Sequence, residues 1–165
     1  MSLLVRPALR PDAPAMAELI NAIIAIGGTT AYEDPFDADR MIAEYIDPPR
    51  FVSCVVAEED GRLLGFQGTT RSYDASDPFP DDWAIIGTFT RVDLTGRGVG
   101  AALFARTVEI ARAAGIRTID ATIRADNTGG LAFYSRLGFV DYAVIAAKPL
   151  KDGAPMDRIR KRFDL

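Results

Sequence analysis

Three alternating glycines, Gly96, Gly98 and Gly100, stand at the expected start of a helix in a chain of 165 residues. Glycine lets backbone N–H groups approach a bound anion, and the helix dipole favours negative charge at that end. The loop therefore predicts a phosphate or pyrophosphate site. The same segment fits a dinucleotide-binding pattern, Gly96-x-Gly98-x-x-Ala101, with Asp120 near the offset of a ribose-binding acid. That alternative is weaker, because Asp120 falls inside a predicted strand and little chain remains for a dinucleotide fold.

The chain contains no histidine, which excludes a Ser-His-Asp triad, a Cys-His pair and histidine-ligated zinc. Acid–base chemistry must therefore use Asp, Glu, Tyr, Lys or water. Tyr134 lies in the middle of a short predicted helix, in DNTGGLAFYSRLGF (126–139), where its hydroxyl is either chemical or packed. Cys54, the only cysteine, lies in an apolar run and is predicted to be a core residue, so no metal site is expected.

Hydrophobic periodicity predicts a mixed order of helices and strands in a single domain, 1–165. Asp60-Gly61 between two β-rich runs is a strong hairpin signal, so those runs should be antiparallel neighbours. A predicted helix at 98–114 joins the fourth strand to the fifth, which makes that pair parallel. The predicted strands cover 3–6, 51–58, 63–73, 83–92, 118–123, 140–147 and 156–163. The fold class is therefore α/β in the α+β sense.

The composition, with 48% hydrophobic and 25% charged residues, is typical of a globular chain. A net charge of −4 argues against nucleic acid as a partner, because binding phosphates requires a basic surface. The longest apolar run, 19–26, is too short to cross a membrane and the N-terminus has no secretory signal, so a cytoplasmic location is expected. Arg158, Arg160 and Arg162 alternate and share one face of a strand, predicted to be a solvated outer face.

The segment GRGVG (96–100), followed a helix and a strand later by NTGGLAFYSRLGF (127–139), resembles the paired motifs of the GNAT N-acetyltransferase superfamily. The resemblance covers about 83–139. It implies a mixed, mostly antiparallel sheet of about seven strands flanked by about four helices, with a central parallel pair splayed at the CoA site. It also implies an acyl-CoA-dependent N-acetyltransferase without a metal. Such an enzyme moves the acetyl group of acetyl-CoA to a primary amine of a small molecule or peptide by direct attack on the thioester.

The resemblance assigns residues as well. Amides of the glycine loop would hold the CoA pyrophosphate, the backbone of 89–91 would bind pantetheine, and Asn127 would hold the cofactor's arm. Tyr134 would be the general acid that meets the departing thiolate. The cofactor-binding residues are therefore predicted to be Phe89, Thr90, Arg91, Thr95, Gly96, Arg97, Gly98, Val99, Gly100, Asn127 and Tyr134. Thr95 stands where the family usually has Gln or Arg, and Gly130 replaces the usual alanine.

The acid role of Tyr134 has two forms. A tyrosine of pKa about 10 is a weaker acid than a thiol of about 8.5, so full proton transfer is uphill by roughly 2 kcal/mol. Hydrogen-bond donation, with a proton relayed later from the amine, is therefore as consistent with the sequence as direct protonation. The purely structural alternative is an aromatic packed at the junction of helix and sheet.

The general base is not fixed by the sequence, because the predicted strand 83–92 carries no carboxylate before Val92. Glu33 is the candidate base, acting through water, with Asp34 and Asp82 as alternatives. Tyr32, Phe36, Tyr73 and Trp83 could line an acceptor pocket or pack in the core. Two other functions stay open, a non-catalytic acyl-CoA-binding sensor and a nicotinamide-dinucleotide-binding oxidoreductase. Assembly into a homodimer is also open.

Overall fold

The computed structural model describes residues 2–94 and 96–165, and within them one seven-stranded sheet. The strands are β1 Leu4–Pro7, β2 Phe51–Glu59, β3 Arg62–Thr70, β4 Trp83–Thr90, β5 Thr118–Arg124, β6 Val140–Pro149 and β7 Pro155–Asp164. Their order in the sheet is β1-β2-β3-β4-β5-β7-β6. β4 and β5 run parallel, and the other neighbouring strands are antiparallel. The predicted mixed sheet with a central parallel pair is confirmed.

Four helices flank the sheet, as predicted. They are α1 Ala13–Ile26, α2 Ala38–Met41, α3 Val99–Ala113 and α4 Thr128–Leu137. Helix α1 ends where Gly27 takes a φ of 77°, and α2 begins where the Asp37 side chain accepts a hydrogen bond from the Arg40 amide. Helix α2 continues into a π-helical turn, Ile42–Ile46. None of the helices in the described part of the chain is long and apolar enough to cross a membrane.

The ends of three strands differ from the predictions by two or three residues. Strands β3 and β4 end at Thr70 and Thr90, rather than at 73 and 92, because the chain there leaves the ladder for loops, and β6 continues to Pro149 rather than ending at 147. The last strand, β7, inserts between β5 and β6. Sequence order alone favours no such insertion, because it depends on which strand edge is free when the C-terminal hairpin docks.

The register of the sheet defines two faces. The front face carries Phe66 and Gly68 of β3 opposite Phe89 and Gly87 of β4, and the back face carries Thr88. Ile85 of β4 pairs with Asp120 of β5, so Asp120 also faces the front. The register then places three pairs side by side on the front of β5 and β7: Asp120 with Arg162, Thr122 with Arg160, and Arg124 with Arg158.

Helices α1 and α2 cover only half of the front face. Met16, Ile20 and Met41 are fully buried there against Phe66 of β3, and among the described residues this core contains none from β5 or β7. Helices α3 and α4 cover the back face through a second core that includes Ile119 of β5. The front of β5 and β7 therefore has no helix of the described residues over it.

The parallel pair separates at its carboxyl end. Trp83, Ala84 and Ile85 pair with Thr118, Ile119 and Asp120, whereas 86–90 of β4 have no β5 partner among the described residues. The splayed pair implied by the resemblance is thus present, and it opens beside the uncovered half of the front face.

Candidate active site

A cleft of about 610 Å³ opens on the front face where β4 and β5 diverge. Gly87 keeps the centre of its floor flat. A Cβ atom at Gly87 would lie 3.2 Å from the Phe89 ring and 3.3 Å from the Tyr45 hydroxyl, so even a methyl group would enter the cleft. The lining includes Thr30, Tyr32, Tyr45, Gly68, Tyr73, Asp77, Ile85, Gly87, Thr88, Phe89, Asp120, Thr122, Arg124, Asn127, Tyr134, Lys148, Arg158 and Arg160.

The Tyr134 hydroxyl reaches the cleft beside the unpaired part of β4. Its oxygen lies 2.8 Å from the Thr88 hydroxyl, which accepts a hydrogen bond from the Gln67 side-chain amide at the same distance. Burial raises the pKa of Tyr134 to about 12. The hydroxyl is therefore protonated at neutral pH, so it can donate a hydrogen bond but cannot act as a base.

Asn127 begins helix α4 and ties it to the loop after α1. Its Oδ1 accepts a hydrogen bond from the Gly130 amide at 2.9 Å, and its Nδ2 donates to the Thr29 carbonyl at 2.7 Å. A Cβ atom at Gly130 would lie 2.4 Å from Nδ2, so the alanine usual in the family would require the Asn127 side chain to shift. Both ends of the Asn127 amide are thus engaged by the protein, so contact with the cofactor's arm requires one of these bonds to open and stays a prediction.

The glycine loop presents an open helix N-terminus. Gly96 and Gly98 have φ values of 80° and 73°, and a Cβ atom at either position would meet nothing within 4 Å. No described side chain caps α3, so amides of its first turn are free to bind an anion. This geometry fits the phosphates of CoA. Thr95 lies outside the described residues.

Three other predicted cofactor residues are partly engaged elsewhere. A Cβ atom at Gly100 would lie 2.5 Å from the Phe133 ring, so Gly100 permits the close packing of α3 on α4 as well as any anion contact. Arg97 forms a salt bridge with Glu59 at 2.9 Å. The Arg91 amide donates to the Leu64 carbonyl, and its Nε donates to the Leu63 carbonyl.

The other predicted cofactor contacts are well placed. Phe89 and Thr90 lie on the end of β4 that has no β5 partner among the described residues, and Phe89 lines the cleft. Val99 is buried in the first turn of α3, where it packs against Val55 and Leu64, so only its main chain can face a ligand.

The predicted base, Glu33, does not lie in the cleft. Its carboxylate is exposed and accepts a hydrogen bond from the Lys151 amide at 2.8 Å, while Asp34 pairs with the Lys151 ammonium. Asp82 is also exposed and outside the cleft. None of these three carboxylates is among the residues that line the cleft, and the role of Glu33 as base stays a prediction.

Asp120 is the buried carboxylate among those that line the cleft, which also include Glu44, Asp74 and Asp77. It is 1% exposed, and it accepts hydrogen bonds from the Tyr142 and Thr122 hydroxyls. Burial raises its pKa above the usual value for aspartate, although these hydrogen bonds and the charge of Arg160 oppose the shift. The sequence contains a signal for a site residue at Asp120, because 118–124 alternates apolar back-face residues with Asp120, Thr122 and Arg124.

The prediction that Arg158, Arg160 and Arg162 form a solvated outer face is wrong. All three are half-buried on the front face. Arg158 and Arg160 line the cleft, while Arg162 lies over the Trp83 ring at 4.8 Å. The alternation does place the three arginines on one face, but the insertion of β7 beside β5 brings Arg158 and Arg160 of that face into the cleft.

The aromatic candidates divide between cleft and core. The Tyr32 and Tyr45 hydroxyls lie 2.9 Å apart on one wall of the cleft, and Tyr73 lines it as well. Phe36 is buried under α2, and Trp83 stacks on Phe79 with a centroid distance of 5.7 Å. Cys54 is buried, as predicted.

Known proteins are similar to this chain in sequence and in fold. The chain is 30% identical over 145 residues to the L-methionine sulfoximine/L-methionine sulfone acetyltransferase of Pseudomonas aeruginosa, covering 84% of this chain and 81% of that protein. It is 27% identical to the L-amino acid N-acyltransferase MnaT of Escherichia coli, over 93% of this chain and 88% of that one. The fold is similar to that of yncA from Salmonella typhimurium, solved with its cofactor acetyl-CoA. That pair has a TM-score of 0.83 at 20% identity, over 100% of this chain and 95% of the other.

The acetyltransferase (GNAT) family matches residues 16–139. This stretch contains most of α1, the splayed strands, the glycine loop and the Tyr134 helix, that is, most of the elements that build the cleft. The chain therefore belongs to the GNAT acetyltransferase family, and it is an N-acetyltransferase that uses acetyl-CoA.

Proposed function

We propose that the acceptor is the primary amine of a molecule about the size of an amino acid, bound on the front face above Gly87. The observation that carries this proposal is the closure of the cleft. The loop after α1 meets the hairpin between β6 and β7 through Glu33, Asp34 and Lys151, and both segments line or border the cleft. An extended peptide would have to displace this bridge. Names of two similar proteins, which refer to L-amino acids or their analogues, support a small acceptor.

Acetyl-CoA supplies an acetyl group activated as a thioester. The open amides of Gly96, Gly98 and the first turn of α3 hold its phosphates. The end of β4 that has separated from β5, with Phe89 and Thr90, lies between that loop and Tyr134. The residues of the glycine loop do not need side chains for this task, since main-chain N–H groups and the helix dipole bind the anion.

Tyr134 acts as a hydrogen-bond donor near the sulfur. Because its pKa is raised to about 12, complete proton transfer to a thiolate of pKa about 8.5 would cost about 5 kcal/mol. Donating a hydrogen bond avoids that cost and still stabilises the developing negative charge. The raised pKa of Tyr134 thus favours hydrogen-bond donation, with a proton relayed later from the amine, over direct protonation of the thiolate.

Asp120 takes up the proton of the acceptor amine, directly or through a water molecule. It is a buried carboxylate that faces the cleft, and its charge reaches Tyr134, whose pKa it helps to raise. The two side chains approach the substrate site from neighbouring elements, so proton acceptor and hydrogen-bond donor are both available to one reaction.

Release of free CoA thiol from acetyl-CoA, measured across a panel of amines, tests the proposal. We expect turnover with L-amino acids or their analogues, and little with peptides that present the same N-terminal residue. Binding of CoA without turnover of any amine would favour the acyl-CoA sensor, which nothing in the similar proteins supports. Faster turnover of peptides than of free amino acids would contradict a small acceptor. A single domain, a cytoplasmic location and a homodimer stay predictions.

A further inference from the structure

The charged residues of the cleft are mostly paired with one another. Arg124 forms a two-point ion pair with Asp126 and donates to the Thr30 carbonyl. Arg160 pairs with Asp77 and lies over the Phe79 ring at 4.8 Å. These contacts neutralise both guanidinium groups and hold them in place.

Arg158 is different, since its side chain makes no hydrogen bond or salt bridge to any described residue. Its Nε is shielded from solvent and has no hydrogen-bond partner. The residue is half-buried and lines the cleft, two residues away from Arg160 on the same front face. Burying part of a guanidinium without a partner is unfavourable, so a native chain that retains this arrangement has a place for an anion from outside.

The position of Arg158 relates it to the reacting groups. It lies opposite Arg124 at the carboxyl end of β5, on the side where β4 and β5 have separated. Gly87 and Tyr134 line the same cleft, so a small acceptor with its amine over Gly87 can extend an anionic group toward β7. Lys148, exposed at the rim, adds positive potential along this direction.

We infer that Arg158 is the specificity-determining residue for the acceptor, and that it binds a carboxylate carried next to the acceptor's amine. A guanidinium presents parallel N–H donors that match a carboxylate at two points, which also orients the molecule. Arg160, fixed by Asp77 but with its own Nε unpartnered, borders the same subsite. This inference rests on the proposed function, because it names the chemical class of acceptor for the same cleft.

The test compares acceptors that differ only in the anion. L-Methionine sulfone and other L-amino acids are assayed beside their carboxamides, with kcat/KM referred to the concentration of neutral amine, because amidation lowers the amine's pKa. The wild-type protein should prefer the acid by about 10- to 150-fold, the range expected for a hydrogen-bonded charged group. Arg158→Gln should lower kcat/KM for the acid to the level of the amide and leave the amide unchanged.

Two variants serve as controls. Arg162→Gln removes the same charge from the same strand and face, but Arg162 pairs with Asp164 and lies outside the cleft lining, so the preference for the acid should survive. Arg158→Lys keeps the charge without the two-point geometry and should restore part of the preference. Thermal unfolding of each variant checks that all three fold.

Three results would overturn the inference while the proposed function stands: equal rates for acids and carboxamides, an equal loss for both in Arg158→Gln, or a preference for amines without an anion. If no amine is acetylated, the proposed function itself fails. Calorimetric titration of L-methionine sulfone and its carboxamide into the CoA-bound protein then tests the subsite alone. Tighter binding of the acid, abolished by Arg158→Gln, supports it, and equal binding of the two contradicts it.

Discussion

The two halves of the front face share one sheet but have opposite character. Over β2, β3 and β4, helices α1 and α2 cover the strands and the side chains are apolar and buried, as for Ile20 and Phe66. Over β5 and β7 no described helix covers the strands, and the same face carries Asp120, Thr122 and three arginines. One half therefore stabilises the fold, and the other forms the site.

The cleft therefore exists because no described helix covers this half of the front face. A sheet face buried under a helix must be apolar, whereas an uncovered face can keep charged groups, provided that they are paired or face a ligand. The boundary between the halves lies at Gly87, where Tyr45 from the covered half and Asp120 from the open half approach the same floor. Substitutions in the covered half should change stability, and those in the open half should change turnover.

The largest effect is expected in the covered half, from Ile20→Ala. Ile20 is fully buried on α1, so loss of its side chain should reduce the free energy of unfolding by about 2–5 kcal/mol. Chemical denaturation measures this change, and kcat of the folded protein should stay the same. Ile26→Ala, at the exposed end of the same helix, is the matched control and should change stability by no more than about 0.5 kcal/mol. A large drop in kcat for Ile20→Ala would break the division between the halves.

Tyr134→Phe should lower kcat by about one to three orders of magnitude, within the range of a lost acid catalyst. The ring stays packed and the affinity for acetyl-CoA should barely move. Loss of the Thr88 hydrogen bond should cost about 1 kcal/mol of stability. Tyr73→Phe is the control, because that hydroxyl lines the cleft without a described hydrogen-bond partner. Wild-type kcat in Tyr134→Phe, measured where chemistry limits turnover, would make the hydroxyl structural.

Asp120→Asn should lower kcat by about 10- to 100-fold if Asp120 accepts the amine's proton. The wild-type pH–rate profile should show an acid limb above the usual aspartate pKa, because burial raises the pKa of Asp120. This limb should be absent from the variant and should not move with the amine's own pKa. Glu33→Gln is the control: its carboxylate lies outside the cleft, and glutamine can still accept from the Lys151 amide. A larger loss in Glu33→Gln than in Asp120→Asn would return the base to the loop after α1.

Asp120→Asn should lower kcat without lowering the stability of the fold. Because the folded pKa of Asp120 lies above that of the unfolded chain, the charged carboxylate destabilises the fold at pH values above the folded pKa, and stability rises as pH falls through it. The amide removes this penalty: one of the Tyr142 and Thr122 hydroxyls can keep donating to its oxygen, and the other can turn to accept from its NH2 group. The variant should therefore unfold no more easily than wild type at neutral pH, as denaturation midpoints would show.

The smallest effect is expected at the glycine loop. Gly98→Val places a β-branched residue at a φ of 73° over open space, and it should weaken CoA binding by about 10-fold, the worth of one hydrogen bond to a charged group. Gly115→Val is the matched control, since Gly115 has a φ of 80°, equally open surroundings and a place just beyond the other end of α3. Both variants should lose similar stability, but CoA affinity by calorimetry should fall only in Gly98→Val. Equal affinities would remove the loop from the phosphate site.

Local patterns in the sequence were sufficient for most elements. Asp60-Gly61 predicts the β2–β3 hairpin. A helix between β4 and β5 predicts that they are parallel, because the helix carries the chain back to the end of the sheet where β4 began. The loop and helix motifs predict Tyr134 at the split of the sheet. These features depend on residues close together in the chain, so one sequence contains them.

Local sequence is therefore enough for the strands, the helices, the family motifs and the position of Tyr134. The insertion of β7 beside β5 arises only in the folded chain, and it places Arg158 and Arg160 opposite Arg124 and Thr122, on the face that carries Asp120. Folding also directs the Glu33 carboxylate toward the Lys151 amide. The physical reason is that the face of an isolated strand can be read from its alternation, but what covers that face depends on pairings between segments far apart in sequence.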